Sequence, residues 1–221
     1  MAPDLHHLLR SLRVWDPDTT TLPPFDPATA PASPLALFVD WFAEAVAAGE
    51  HEPHTMSLAT TDEDGRPDVR IVMLHGADES GWSFGTHRTS AKGRALTSRP
   101  YAALAFYWPT LGRQVRLRGP VTTGTAAEAR ADLRARSTGA LAAALTGRQS
   151  EILGSVEELA EASQEAWERA RTEPAAESAT WTLYRLLPES VEFFQGDERR
   201  RHVRVRYRAE DGGWRRELLW P

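Results

Sequence analysis

Between residues 34 and 50 the segment PLALFVDWFAEAVAAGE places Leu35, Phe38, Val39, Trp41, Phe42 and Val46 at near-helical spacing and reaches Gly49, a residue suited to a C-terminal cap. This predicts an amphipathic helix. The pattern then shortens to alternation: segments 54–60, 68–75, 81–86, 101–108 and 113–123 carry β-branched and aromatic residues, punctuated by turn sequences such as DEDGRP and ADESG. Between the third and fourth of these, HRTSAKGRALTSRP offers Ser90 or Thr89 as the cap of a short helix that ends before Pro100. The helical period returns over 125–171, in EARADLRARS, ALAAALTGRQS and SVEELAEASQEAWERAR, before the loop TEPAAES. Segments 181–187, 190–195, 201–208 and 213–220 read as closing strands, with DGG as a hairpin turn. The expected architecture is α+β, a small antiparallel barrel carrying helices on its outside.

Residues 1–33 break with this patterning. The stretch DPDTTTLPPFDPATAPASP is rich in Pro, Asp and Thr, a composition that buries too little apolar area to order itself. It predicts a flexible arm, mobile unless it docks on a partner subunit. Residues 34–180 then form the barrel with its helices, and 181–221 complete it.

Composition narrows the chemistry. The formal charge of -5 over 221 residues argues against nucleic-acid binding, which draws on an excess of cationic side chains. With no cysteine, disulfides, thiolate metal sites and cysteine nucleophiles are excluded. The N-terminal residues lack the apolar run of a signal peptide and no stretch is long enough to span a bilayer, so the expected setting is the cytoplasm and no membrane partner is expected. Of 26 basic residues Lys92 alone is lysine, a skew that looks like coding bias but draws attention to that position. No GxSxG, HExxH or P-loop occurs, and no His or carboxylate pairs have metal-ligand spacing, so no metal is expected.

The segment from Gly85 to Lys92 ends a strand, supplies the hydroxyls of Thr86, Thr89 and Ser90, and opens a helix with Lys92 in its first turn. Helix N-termini bind phosphate through free N–H groups and the helix dipole, and Gly85 would permit close backbone approach by a cofactor. By itself the segment reads more readily as an ordinary strand-to-helix turn with a solvated lysine. Arg70, at the edge of an apolar strand, is either a snorkelling surface residue or a fixed anion donor.

Taken together, RIVMLHG, FGTHRTSAKGR, FYWPTLGRQVRLRG, GRQS and VEFFQGDERRRHVRVRYR resemble, in order and spacing, the motifs of the pyridoxamine 5′-phosphate oxidase family. The similarity runs from about residue 34 to 221, and RYRAEDGGWRRELLWP is similar to that family's C-terminal dimerisation region. The resemblance implies a homodimeric FMN-binding split β-barrel with flavin at the subunit interface. By position it implies FMN contacts from Arg70, Ser90 and Lys92, with Thr86 nearby, the strand Ile71, Val72, Met73 and Leu74 along the flavin, and Gln114 at the ring. From the second chain it implies Gln149, Ser150, Arg204 and Phe194, the last replacing a usual tryptophan. Ala91 stands where an arginine is common, and Gly85 where a tyrosine is.

The substrate side departs further. The family's lysine, tyrosine, arginine and serine around the substrate phosphate correspond to His75, Asp132, Arg136 and Ala140, so only the arginine is kept, and Asp132 would repel a phosphate. For His75 a structural role and a substrate contact are equally open. Arg200 and His202 match the family's substrate-facing arginine and histidine, the candidate catalytic pair. Without the resemblance, ERRRHVRVRYR would read as an exposed edge strand.

The resemblance extends to phenazine-biosynthesis flavin oxidases through the THxxSxKGRxL pattern. The leading expectation is an FMN-dependent oxidase of secondary metabolism, taking electrons from a small amine or partly reduced ring and giving H2O2 from O2. A true pyridoxamine or pyridoxine 5′-phosphate oxidase is the alternative, and a non-catalytic flavin-binding barrel the third.

Overall fold

The computed structural model describes residues 4–16 and 18–221. Residues 1–3 and 17, part of the expected arm, lie outside that description. The described residues form ten antiparallel strands: β1 Thr55–Thr61, β2 Pro67–Met73, β3 Gly76–Asp78, β4 Gly81–His87, β5 Tyr101–Trp108, β6 Arg113–Thr123, β7 Trp181–Leu186, β8 Ser190–Gln195, β9 Val203–Glu210 and β10 Gly213–Leu219. Six helices accompany them: α1 Leu5–Ser11, α2 Pro34–Ala47, α3 Ala91–Ser98, α4 Ala126–Arg134, α5 Thr138–Thr146 and α6 Val156–Thr172. The main path runs β10-β9-β8-β6-β5-β1-β2, while β7 joins β6 to β4 and β4 carries β3, so the sheet curls into a half-barrel.

The eleven-residue β6 makes this curl possible by serving two neighbours. Its residues 113–118 pair with β8, and 121–123 pair with β7. Gly119 sits at the handover, where a Cβ would stand 2.0 Å from the Leu187 carbonyl oxygen. Only a residue without a side chain lets the crossing chain come so near.

Alternation along the strands fills the interior. Phe84, Phe106, Trp108, Val115, Phe193, Val205 and Tyr207 are all buried, and α2 plugs the open side with Leu37, Phe38, Trp41 and Ala45. Phe38 packs on Trp82 and Phe106, and Trp41 packs edge-on against Phe25 and Phe193. Each such side chain contributes about 1.5–3 kcal/mol through burial. Val39 and Val46, expected on the apolar face of α2, lie on its outer side and are exposed. A second, smaller core of Leu133, Leu141, Ala142, Ala144 and Ala170 holds α4, α5 and α6 together.

The arm differs from expectation. Residues after position 17 dock on their own chain: Leu22 is buried against Gly112, Ala30 enters the main core, and Phe25 covers Trp41. Tyr207 donates a hydrogen bond to the Pro31 carbonyl at 2.7 Å, and Glu198 accepts from the Leu22 N–H at 2.7 Å. Three isolated apolar residues in an extended Pro-rich segment find pockets that alternation along the arm could not announce. The short elements α1 and β3 were not expected either. β9 also begins two residues later than read, leaving Arg201 and His202 in the preceding turn.

Candidate active site

At the N-terminus of α3 one chain assembles a compact set of donors. The Ser90 hydroxyl caps the helix, accepting from the Gly93 N–H at 3.2 Å and donating to the His87 carbonyl at 2.8 Å, so of the two candidate caps Ser90 is the one used. It is fully buried and its oxygen is spent on the turn, which makes it a positioning residue. The cap aims Lys92 inward: its Nζ donates to Gln149 Oε1 at 2.9 Å and Thr86 Oγ1 at 3.4 Å. Thr86 in turn donates to Gln149 Oε1 at 3.0 Å, and the Ala91 N–H donates to Ser150 Oγ at 3.1 Å. Gln149 and Ser150, expected from the opposing subunit, therefore reach this cluster from the same chain. The αL turn at Gly147 and the left-handed Ser150 (φ 73°) fold the end of α5 back onto α3.

Arg70 approaches from β2, donating to Leu58 O at 3.0 Å, Thr60 Oγ1 at 2.8 Å and Asp68 Oδ2 at 2.5 Å. Burial lowers the Lys92 pKa, and the Arg70 charge lowers it further. Lys92 is hydrogen-bonded only by neutral oxygens, and the single nearby carboxylate, the exposed Asp68, is paired with Arg70, so this cationic donor set has room for an anion. The phosphate of a mononucleotide fits it. Along β2 the side chains alternate, so Val72 joins the core with Leu74 while Ile71 and Met73 stand on the exposed face. The strand thus presents only alternate residues to any one ligand face.

A second group forms on β6, β8 and β9, where Gln114 lies opposite Phe194, and Phe194 opposite Arg204. Arg204 is paired with Glu192 at 2.8 Å and donates to the Trp220 carbonyl at 2.7 Å. The turn before β9 brings His202 to 5.1 Å from the Phe194 ring, and its Nδ1 accepts from the Asp197 N–H at 3.1 Å. Arg200 sits at φ 65° and donates to the Val14 carbonyl at 3.2 Å. Trp15, which sequence reasoning passed over inside the arm, packs edge-on to His202 at 5.4 Å.

The third group surrounds Asp132. Its Oδ1 accepts from His75 Nδ1 at 2.8 Å and Arg136 at 2.7 Å, and its Oδ2 accepts from Trp181 Nε1 at 2.9 Å. Burial pushes this carboxyl up, but the bonds from His75, Arg136 and Trp181 outweigh it and hold the pKa at about 2. Asp132, expected to repel a substrate phosphate, is engaged by these three donors within the chain. Ala140 does not join this network: it lies exposed on α5, its N–H bonded to Ser137. The space above Gly85, expected to admit a cofactor, is filled by Trp181, His75 and Asp132. Trp181 carried no sequence signal beyond its place at the head of a strand.

Among the described residues no hydrogen bond or aromatic contact joins the Lys92 and His75 groups to the Gln114–His202 group. Along the main sheet β8 stands four strand spacings from β2, about 19 Å at ~4.8 Å each. No group of three or more His, Asp or Glu is placed to hold a metal, and no helix is long and apolar enough to cross a membrane, among those residues.

A curled half-barrel with a buried lysine at a helix N-terminus beside it places the chain in the split-barrel class of folds. Residues 42–169 match the family described as pyridoxamine 5′-phosphate oxidase, and 181–221 match the pyridoxine 5′-phosphate oxidase C-terminal dimerisation region. The chain is 44% identical over 197 residues to the pyridoxine/pyridoxamine 5′-phosphate oxidase of Pseudomonas fluorescens SBW25, covering 88% of this chain and 91% of that one. It is 42% identical over 196 residues to the enzyme of the same name from Azotobacter vinelandii, with 88% and 91% covered. Among solved structures, PhzG from Burkholderia lata 383 in complex with tetrahydrophenazine-1-carboxylic acid superposes with a TM-score of 0.84 at 30% identity, over 90% of this chain and 99% of that one. A pyridoxamine 5′-phosphate oxidase-related, FMN-binding protein from Nostoc punctiforme shares the fold, with a TM-score of 0.70 at 20% identity over 86% and 98%. The protein belongs to the pyridoxamine 5′-phosphate oxidase family, and its cofactor is FMN.

Proposed function

We propose that this protein is a homodimeric FMN-dependent oxidase acting on a small amine or partly reduced ring that carries no phosphate ester. Lys92, buried beside Arg70 without a carboxylate of its own, is the observation that carries the cofactor site. Arg70 and Lys92 would hold the FMN phosphate, Ser90 fixes the helix that presents it, and Thr86, Gln149 and Ser150 line its approach. Gln114, Phe194, Arg204, Arg200 and His202 form a separate group, with no hydrogen bond to those donors among the described residues. Pairing of two copies brings the second chain's set to the first chain's donors. The match to a dimerisation region and the exposed Val69, Ile71 and Met73 on β2 support that assembly.

FMN held there would supply a two-electron acceptor for the substrate, with O2 as the final acceptor giving H2O2. The chain's own residues bind and orient the substrate. Arg200 offers a cationic fork to a polar or anionic group, and His202, whose Nδ1 is occupied by the Asp197 N–H, presents Nε2 for hydrogen bonding or proton transfer. Support for an unphosphorylated substrate comes from Arg136, whose charge is paired with Asp132. PhzG, solved with a reduced tricyclic acid, supports the partly reduced ring and a role in secondary metabolism.

Oxidation of pyridoxine or pyridoxamine 5′-phosphate is the second reading, favoured by the names of relatives at 42–44% identity. Purified protein that is yellow and releases FMN on denaturation supports the cofactor site. Peroxide release is then compared across reduced rings, amines and pyridoxine 5′-phosphate. Efficient turnover of the phosphate ester alone overturns the first reading in favour of the second.

A further inference from the structure

Two apolar surfaces of the chain have nothing packed against them. The first is α1, where Leu5, Leu8, Leu9 and Leu12 recur at helical spacing yet are all exposed, and no residue of the helix is buried. Seven residues are too few to hold a helix in water without packing, even with the Asp4 cap. A leucine stripe at this spacing is the pattern of a helix that lies against a second surface. The second is a cleft of about 270 Å³ between the end of α5 and the start of α6, lined by Ala143, Ile152, Leu153, Leu159 and Ala162. Ile152 is 95% exposed, with Leu153 and Leu159 exposed beside it, and a patch of this kind on a folded chain marks a contact surface.

Charge and position pair the two. Arg10 and Arg13 accompany the leucine stripe and have no carboxylate partner, while Glu157, Glu161 and Glu165 of α6 are in no ion pair, among the described residues. The cleft is also lined by Gln149, whose Oε1 accepts from Lys92, so it opens beside the cofactor donors. At the other end, α1 stops three residues before Val14, whose carbonyl accepts from Arg200, and four before Trp15, which packs on Phe194 and His202. Three residues of chain span about 10 Å at most. A dimer that brings one copy's Arg200 and His202 to the other copy's Lys92 therefore carries α1 to the other copy's cleft.

We propose that α1 of one copy docks in the α5–α6 cleft of the other, with its leucine stripe on Ile152, Leu153 and Leu159 and its arginines toward the acidic side of α6. This inference rests on the reading of the protein as a homodimer with FMN between its copies, and adds a contact outside the cofactor site. The arm, anchored on its own chain at Leu22 and Phe25, becomes a strap across the pair.

The test is amide hydrogen exchange, read by mass spectrometry on the FMN-loaded full-length protein. Residues 5–12 should exchange at least tenfold more slowly than a free peptide of the same sequence. Ile152→Asp puts a charge into the cleft at an exposed position that is not assigned to the cofactor. It should leave dimer and flavin intact and return residues 5–12 to the free-peptide rate. A mixed dimer identifies the occupant: one copy carries Ile152→Asp and keeps α1, while the other lacks residues 1–12 and keeps the cleft. Its single α1 should stay protected, because the only intact cleft lies on the other copy.

Exchange at the free-peptide rate in a yellow wild-type dimer overturns the inference and leaves the functional reading standing, whereas a colourless monomer overturns both. Protection that survives Ile152→Asp in both copies puts α1 on another surface, and protection lost in the mixed dimer puts it in the cleft of its own chain. Either result sinks the inference.

Discussion

Replacing Lys92 by Met separates cofactor binding from folding in a single substitution. The side chain is 9% exposed and its Nζ reaches only Gln149 and Thr86. Methionine keeps most of the apolar stem and removes the charge, and the Thr86 hydroxyl still satisfies Gln149 Oε1 at 3.0 Å. Losing a charge-assisted bond to phosphate costs about 1.5–3 kcal/mol, so FMN should bind roughly 10- to 150-fold more weakly. The apoprotein should be no less stable, since a cation that burial and Arg70 both disfavour is gone. The sign follows from proton counting: with the folded pKa below its ordinary value, the native apoprotein holds fewer protons than the unfolded chain as pH rises through that range, and its stability climbs. Lys92→Met should abolish this climb. Fluorescence titration with FMN and thermal melts with and without saturating FMN read both quantities, and the FMN-induced rise in Tm should shrink by about 3–12 °C. Unchanged FMN affinity would refute the assignment of Lys92 to the phosphate, and a marked fall in apoprotein Tm would refute its description as an unsatisfied cation.

Three further outcomes are expected. Asp132, held at about 2 against an ordinary 3.8, contributes about 2 kcal/mol that is complete above pH 5 and roughly half lost by pH 3; urea midpoints for wild type and Asp132→Asn should converge on acidification, and parallel curves would contradict this. Gly119→Ala, whose Cβ meets the Leu187 carbonyl at 2.0 Å, should destabilise the fold by about 1–3 kcal/mol in denaturant titration, whereas a neutral effect would mean that the β6 crossing can give way. Ile71→Arg on the exposed face of β2 should convert dimer to monomer in sedimentation and reduce FMN retention; a dimer with full flavin would place the interface elsewhere.

The sequence by itself determined the elements with a sustained period. β5 and β6 fall on the segments read from alternation, because buried and exposed positions repeat every second residue and Gly or Pro marks their ends. The helix at Pro34 and the Ser90 cap were legible for the same local reason. What only the tertiary structure decided are contacts between residues far apart in the chain. Asp132 meets His75 across 57 positions and Trp181 across 49, which turned a supposed repulsive carboxylate into the centre of a saturated network. Gln149 joined Lys92 across 57 positions within one chain, because the turn after α5 folds back over α3. The arm likewise gained order from pockets around Gly112 and Trp41 that its own composition does not encode. Local periodicity reports which face of an element is apolar, but the partner that satisfies a buried charge is set by how the elements pack.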